Sequence, residues 1–289
     1  MPVKIISDST CDLSPALLEA YEIAITPLTV TLGARAGHDG TEILPEDIYA
    51  YVEATGCLPK TSAVSIGEYL DTFRFWRGQG YEIVQFCISR LLSGAYQNAC
   101  AAAREVGGVQ VVDSGNLSTG QGLLVLRAAE LARSGQSAEE IVRACQALVP
   151  RVEASFVPGG IDYLYKGGRC SALAAFGTNL LHLRPCIEVI DGRMEPGKRY
   201  RGATDTVLRA YIGDRLRDRT DIDLRRIFLN HTRCDPKTVA LAKRLIREAC
   251  PQAEELLETT AGATITTHCG PETLAVMFLR TEERRRTRS

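Results

Sequence analysis

Short apolar runs recur along the chain, and stretches with helical periodicity fall between them. Val3 to Ile6 leads without interruption into Ser7-Asp8-Ser9-Thr10, and Ser14-Pro15 then opens a helical pattern through Leu17, Leu18 and Tyr21. Ile23 to Leu32 reads as a second strand, Pro45 to Thr55 as a helix closed by Gly56, Ile83 to Ile88 as a third strand and Val109 to Val112 as a fourth. Ser93 to Val106 and Thr119 to Arg133 read as helices. This alternation predicts an α/β fold with a mainly parallel sheet and flanking helices. In such sheets, functional residues collect in loops beyond the carboxyl ends of the strands.

Ser137 with Glu140 forms a capping box, Ile141, Val142, Cys145, Leu148 and Val149 supply one apolar helix face, and Pro150 stops the helix. A domain boundary is expected there, giving an N-terminal α/β domain over 1–150 and a C-terminal mixed α/β domain over 151–289. The second half reads as a strand from Glu153 to Pro158, a short helix from Asp162 to Lys166, a hairpin around Asp191-Gly192 and a helix from about Thr204 to Arg217. Ile227 to Asn230, Thr264 to Thr267 and Leu274 to Leu279 are expected as strands, with a helix after Asp235-Pro236. The polar, Arg-rich tail from Glu282 to Ser289 reads as a frayed end.

Charge narrows the partners. Lys and Arg number 34 against 35 Asp and Glu, so no strong positive field invites nucleic acid or anionic lipid. No apolar run approaches the roughly 18 to 20 residues that a bilayer span needs, so no stable membrane insertion is expected. The chain enters its first strand directly, without a basic segment, an apolar stretch and a small-residue cleavage site, and the expected compartment is the cytoplasm. Ten cysteines are scattered without a C-x-x-C, and no H-x-x-x-H occurs, so neither a disulfide framework nor a metal site is expected. Gly120 is followed by Gln121 where a phosphate loop needs Lys, and no G-x-G-x-x-G follows a strand, so no nucleotide cofactor is expected.

Polar clusters fall at or beside the expected carboxyl ends of strands: Ser7-Asp8-Ser9-Thr10, Lys60-Thr61-Ser62, Ser89 to Ser93-Gly94, and Asp113-Ser114-Gly115-Asn116. Most are neutral hydroxyls. With backbone N–H groups they can bind a carboxylate or phosphate without a buried cation, and they serve equally well as helix and turn caps. Asp162-Tyr163-Leu164-Tyr165-Lys166-Gly167-Gly168-Arg169 joins a short amphipathic helix to a Gly pair that can turn the chain and direct Arg169, or leave it solvated. Lys198, Arg199 and Arg201 make a second basic group, readable as a solvated strand face. His231 and His268 are expected at strand ends, where structural histidines are commoner than catalysts. No cysteine has a sequence neighbour that reads as an activating base.

In order and spacing, Asp8-Ser9-Thr10-Cys11-Asp12-Leu13, Lys60-Thr61-Ser62, Leu92-Ser93-Gly94-Ala95-Tyr96-Gln97, Asp113-Ser114 through Gly120-Gln121-Gly122, Asp162-Tyr163-Leu164 through Gly167-Gly168-Arg169, and His268-Cys269-Gly270-Pro271 resemble the DegV family over nearly the whole chain. The resemblance implies two α/β domains with a long-chain fatty acid buried between them, as in the fatty-acid-binding subunit of bacterial fatty acid kinase. It implies a lipid carrier that binds no ATP and is not itself an enzyme. A separate ATP-binding kinase subunit would phosphorylate the carboxylate, and the acyl phosphate would feed phospholipid synthesis. By motif position, Thr61 and Ser93 look like carboxylate ligands, Ser62 and Gly94 accompany them, and His268 stands near the head group. Arg169 and Arg201 look like residues for phosphoryl transfer or kinase docking.

The chain departs from the family pattern at Ala63-Val64-Ser65, where relatives often have Gln-Pro-Ser, at Ala95 for Thr, at Cys170 for Ile and at Glu272 for Gly. The alternatives are a small hydrolase or phosphotransferase with Ser93 or Thr61 as nucleophile and His268 as base, and an acyl-sensing regulatory module.

Overall fold

The computed structural model describes residues 1–170 and 183–282. Two compact units divide the chain. One comprises Met1–Val149 with Ala261–Thr267, the other Pro150–Thr260 with the chain from His268 onward. The tail beyond residue 282, expected to fray, lies outside the described residues.

The first unit is built on four parallel strands in the order β2-β1-β6-β7: β1 (Val3–Asp8), β2 (Ala24–Thr26), β6 (Glu82–Cys87) and β7 (Val109–Asp113). The connection from β1 leads to one side of the sheet, whereas β6 and β7 lie on the other, so the topological switch point falls between β1 and β6. Pro27 splits the single strand expected over Ile23 to Leu32, because it offers no N–H to a ladder. Beyond it, β3 (Thr29–Leu32) pairs instead with β4 (Arg35–His38) and β5 (Lys60–Ser62) in a small antiparallel sheet.

Helix α3 (Ile66–Gly78) was not anticipated, although Ser65 and Glu68 form a capping box at its start. It packs with α4 (Ala95–Val106), whose Ala95, Ala99, Ala102 and Ala103 are buried on one face. Helix α5 (Ser118–Arg133) is deeply enclosed, with 12 of its 16 residues buried. At Gly122 a Cβ would stand 2.9 Å from the Cys11 carbonyl and 2.8 Å from Leu13. Gly122 is therefore a close-packing position between α5 and the turn after β1.

The second unit carries a mixed sheet in the order β10-β9-β8-β13-β11-β12. These strands are β8 (Val152–Val157), β9 (Leu183–Ile190), β10 (Arg193–Arg201), β11 (Ile222–Thr232), β12 (Glu255–Thr260) and β13 (Thr273–Arg280). Asp191 and Gly192 both adopt positive φ, 48° and 80°, which gives the twist that joins β9 and β10 in the expected hairpin. Helices α8 (Thr204–Leu216) and α9 (Pro236–Ala249) contribute Val207, Leu208, Tyr211, Ala242 and Ile246 to one core with Ile227, Leu229 and Phe278 of the sheet.

One expected strand is a helix. Residues 264–267 lie within α10 (Ala263–Cys269), which places His268 in the last turn of a helix and not at a strand end. The β-propensity of its threonines is overridden by tertiary contacts. Thr267 Oγ1 donates to the Ala263 carbonyl at 2.8 Å, and the first amides of the segment find acceptors in distant carboxylates.

Candidate functional site

In the first unit, three of the polar clusters follow β1, β6 and β7. Asp8 Oδ2 accepts the Ile88 amide at 2.7 Å, bridging the carboxyl ends of β1 and β6 at the switch point. The chain then turns through Ser89, whose carbonyl accepts the amides of Leu92 and Ser93, and enters α4 at Gly94. No side chain of Gly94 caps this helix, and Ser93 Oγ accepts the Ala95 amide at 3.3 Å.

The Thr61-Ser62 cluster reaches the same place. Val30 of β3 pairs with Thr61, and a Cβ on Gly94 would lie 4.0 Å from that of Ala63. Asn98 Nδ2, one turn into α4, donates to the Val64 carbonyl at 2.8 Å. Thr61, Ser62, Ser93 and Gly94 are thus brought to one end of α4, and all four are uncharged. Thr61 and Ser93 are half-buried, whereas Ser62 and Gly94 are exposed.

In the second unit, α7 (Asp162–Lys166) and its Gly pair pack against His268-Cys269-Gly270-Pro271, and three glycines permit the contact. A Cβ on Gly167 would stand 2.8 Å from His268 Nδ1, one on Gly270 2.6 Å from the Tyr163 ring, and one on Gly159 2.6 Å from the Pro271 carbonyl. Of the Gly pair, only Gly168 takes positive φ, at 68°, while Gly167 is needed for space. Thr232 Oγ1 donates to the Gly270 carbonyl and accepts the Thr273 amide, holding the turn. Glu272 adopts a φ of 56°.

His268 is half-buried, and the loss of water around its imidazole, with a smaller contribution from the Arg169 charge, holds its pKa down to about 4. The imidazole is neutral at ordinary pH. So low a pKa suits hydrogen bonding and makes a weak general base. Arg169 itself is exposed and donates to the Gly167 carbonyl at 2.9 Å. Arg201 ends β10, also exposed, opposite Leu183 of β9. Within the basic group on that strand, Lys198 pairs with Asp214 at 2.6 Å.

The other candidates have structural surroundings. His231 lies buried at the end of β11, 3.5 Å from Glu258. Burial pushes the thiols of Cys11 and Cys145 up to about 12 and those of Cys186 and Cys234 up to about 11, against thiolate chemistry. Among the described residues no group of His, Cys, Asp and Glu could hold a metal ion, and no helix is long and apolar enough to cross a membrane. Sequence reasoning passed over Asn98 and the carboxylates of Asp12 and Asp39. Asn98 had a recognisable signal, because it follows Ser93-Gly94 by about one helical turn.

The arrangement offers a carboxylate or phosphate neutral donors in the first unit, and a neutral imidazole with an exposed guanidinium nearby in the second. Known proteins are similar to this chain in sequence and architecture. A DegV domain-containing protein of Streptomyces coelicolor is 32% identical over 277 residues, covering 95% of this chain and 97% of that protein. A fatty-acid-binding DegV family protein from Thermus thermophilus is 31% identical with a TM-score of 0.86, over 97% of this chain and 100% of that one. A stearic-acid-binding protein from Eubacterium ventriosum is 27% identical with a TM-score of 0.83, over 96% and 98% of the two chains. The family model described as "Uncharacterised protein, DegV family" matches residues 2–281. With nearly its whole length matched in both sequence and fold, this chain belongs to the DegV family.

Proposed function

We propose that this protein binds a long-chain fatty acid and presents its carboxylate to a separate ATP-binding kinase subunit, yielding an acyl phosphate for phospholipid synthesis. The observation that carries the reading is the convergence of Thr61-Ser62 and Ser93-Gly94 at the start of α4, where Gly94 offers no capping side chain, in a chain similar over nearly its full length to a fatty-acid-binding protein. Hydroxyls and first-turn amides satisfy a carboxylate without a buried cation. In this reading Thr61 and Ser93 are the carboxylate ligands, Ser62 and Gly94 shape their surroundings, and His268 donates to the same head group.

The acyl chain supplies affinity and the head-group residues supply orientation. About 14 buried methylenes at ~0.8 kcal/mol each give roughly 11 kcal/mol of gross transfer energy. Several kcal/mol are lost to immobilisation, which leaves binding in the micromolar range or tighter. A carrier role also fits the chemistry of the candidate base. A His268 imidazole with a pKa near 4 is poorly matched to activating Ser93 or Thr61 for hydrolysis.

Arg169 and Arg201 serve the transfer step in this reading. Both are exposed, so their permanent charges remain hydrated until an incoming phosphate or kinase surface meets them. The lipid content of the purified protein tests the binding half of the proposal. Acyl phosphate formation on adding kinase subunit and ATP tests the other half.

A further inference from the structure

The Asp8-Ser9-Thr10-Cys11-Asp12 motif has no part in the reading above, yet it contains two of three carboxylates buried close together in the first unit. Asp8, Asp12 and Asp39 bond to hydroxyls, a side-chain amide and backbone N–H groups. Asp8 accepts Thr10 Oγ1, Gln121 Nε2 and the amides of Thr10 and Ile88, tying β1 to its own sheet and to α5. Asp12 and Asp39 do something different. Asp12 Oδ1 accepts the Gly262 amide at 2.8 Å and its Oδ2 accepts Ser118 Oγ. Asp39 Oδ1 accepts the Ala263 amide at 2.8 Å and its Oδ2 accepts Ser9 Oγ at 2.9 Å.

The two carboxylates close on one point. A Cβ at Gly262 would stand 3.1 Å from Asp39 Oδ1 and 3.3 Å from Asp12 Oδ1, so glycine leaves the room that both oxygens use. Gly262 has no side chain with which to cap α10, and the distant carboxylates satisfy the orphan amides in its place. Six residues after Gly262 comes His268, roughly 9 Å along the helix at 1.5 Å per residue. The helix between them is braced by the bond from Thr267 Oγ1 to the Ala263 carbonyl. At the other end the imidazole fits against Gly167 with no space for a methyl group.

Burial raises the pKa of all three carboxyls, that of Asp12 to about 8, where repulsion from Asp39 and Asp8 adds to the cost. A costly arrangement with no ion-pair partner among the described residues, aimed at two consecutive amides, has positioning as its evident return. We propose that Asp12 and Asp39 form a clasp on the start of α10 that sets the position of the His268 imidazole. They are positioning residues for the head-group site, and this role in binding rests on the fatty-acid reading.

The test follows the four histidines of full-length protein labelled with ¹⁵N-histidine, the His268 ring signals being assigned with His268→Gln, alongside calorimetry with palmitic acid. Asp12→Ala and Asp39→Ala should each move the His268 ring resonances and weaken palmitate binding about tenfold. Asp12→Asn should restore both, because the amide oxygen still accepts the Gly262 N–H. Gly262→Ala, which keeps both carboxylates but crowds them, should move the same resonances. If an Asp→Ala variant does not fold, Asp12→Asn and Gly262→Ala decide by the same two readouts. Variants that melt earlier yet keep the His268 resonances and palmitate affinity would overturn the clasp. Should the wild-type protein take up no palmitate, the lipid reading fails, and the His268 resonances alone judge the clasp.

Discussion

The side-chain amide of Asn98 donates to the Val64 carbonyl at 2.8 Å, fastening the first turn of α4 to the segment that carries Thr61 and Ser62. Removing it should loosen the proposed head-group site without touching a proposed ligand. Asn98→Ala is expected to weaken fatty-acid binding by about 1 kcal/mol, and Thr61→Ala and Ser93→Ala by about 1 to 3 kcal/mol each. Calorimetry with a soluble fatty acid measures all three. Combining Asn98→Ala with Thr61→Ala should cost less than the sum, since both act on one contact surface.

Stability should respond to pH through His268 and Asp12 with opposite signs. The unfolded imidazole titrates near 6.5 and the folded one near 4, so the unfolded chain takes up the extra proton between these values. His268 therefore lowers stability as pH falls through that window, and His268→Gln should flatten the acid limb. For Asp12 the folded carboxyl near 8 holds a proton that the unfolded one releases near 3.8. Stability is lost as pH rises from about 4 to about 8, with Asp8 and Asp39 adding in the same direction, and Asp12→Asn should flatten that decline. Urea midpoints for the three proteins across this range decide both.

Glu272 carries a left-handed backbone, with φ at 56°. A non-glycine residue costs about 1 to 2 kcal/mol there, and glycine loses up to about 1 kcal/mol in unfolded-state entropy. Glu272→Gly should therefore raise stability by about 0 to 2 kcal/mol, read as an increase in melting temperature. A decrease would mean that the Glu272 side chain contributes more than its backbone costs.

Much of this architecture is visible in the sequence because one local signal suffices for each element. Asp191-Gly192 specifies the hairpin, Ser137 and Glu140 start a helix, and the apolar run Val3 to Ile6 is a buried parallel strand. The errors have physical causes. Pro27 divides one apolar run between two sheets, and Thr264 to Thr267 look like a strand because the acceptors that hold the start of their helix at Gly262 and Ala263, Asp12 and Asp39, are more than 200 residues away. The candidate site shows the same division. Thr61 and Ser93 can be picked out as hydroxyls in polar turns, whereas their convergence depends on the Asn98 bond and the Gly94 contact.

Arg169 and Arg201 should separate lipid holding from phosphoryl transfer. Both are exposed, and in phosphoryl transfer positioned cations act on charge spreading over the transferred oxygens, where they are worth orders of magnitude in rate. Arg169→Ala and Arg201→Ala are expected to retain fatty acid and to yield little acyl phosphate when kinase subunit and ATP are supplied. A variant that loses its lipid but is phosphorylated normally once refilled would make that arginine a residue of binding or fold.

Native mass spectrometry of the protein purified from a bacterial host tests the central claim most directly, because it reads ligand mass and stoichiometry together. The account predicts a long-chain fatty acid at about one per chain, removable by delipidation and restored by adding fatty acid. A protein that emerges ligand-free and takes up no added fatty acid would contradict it.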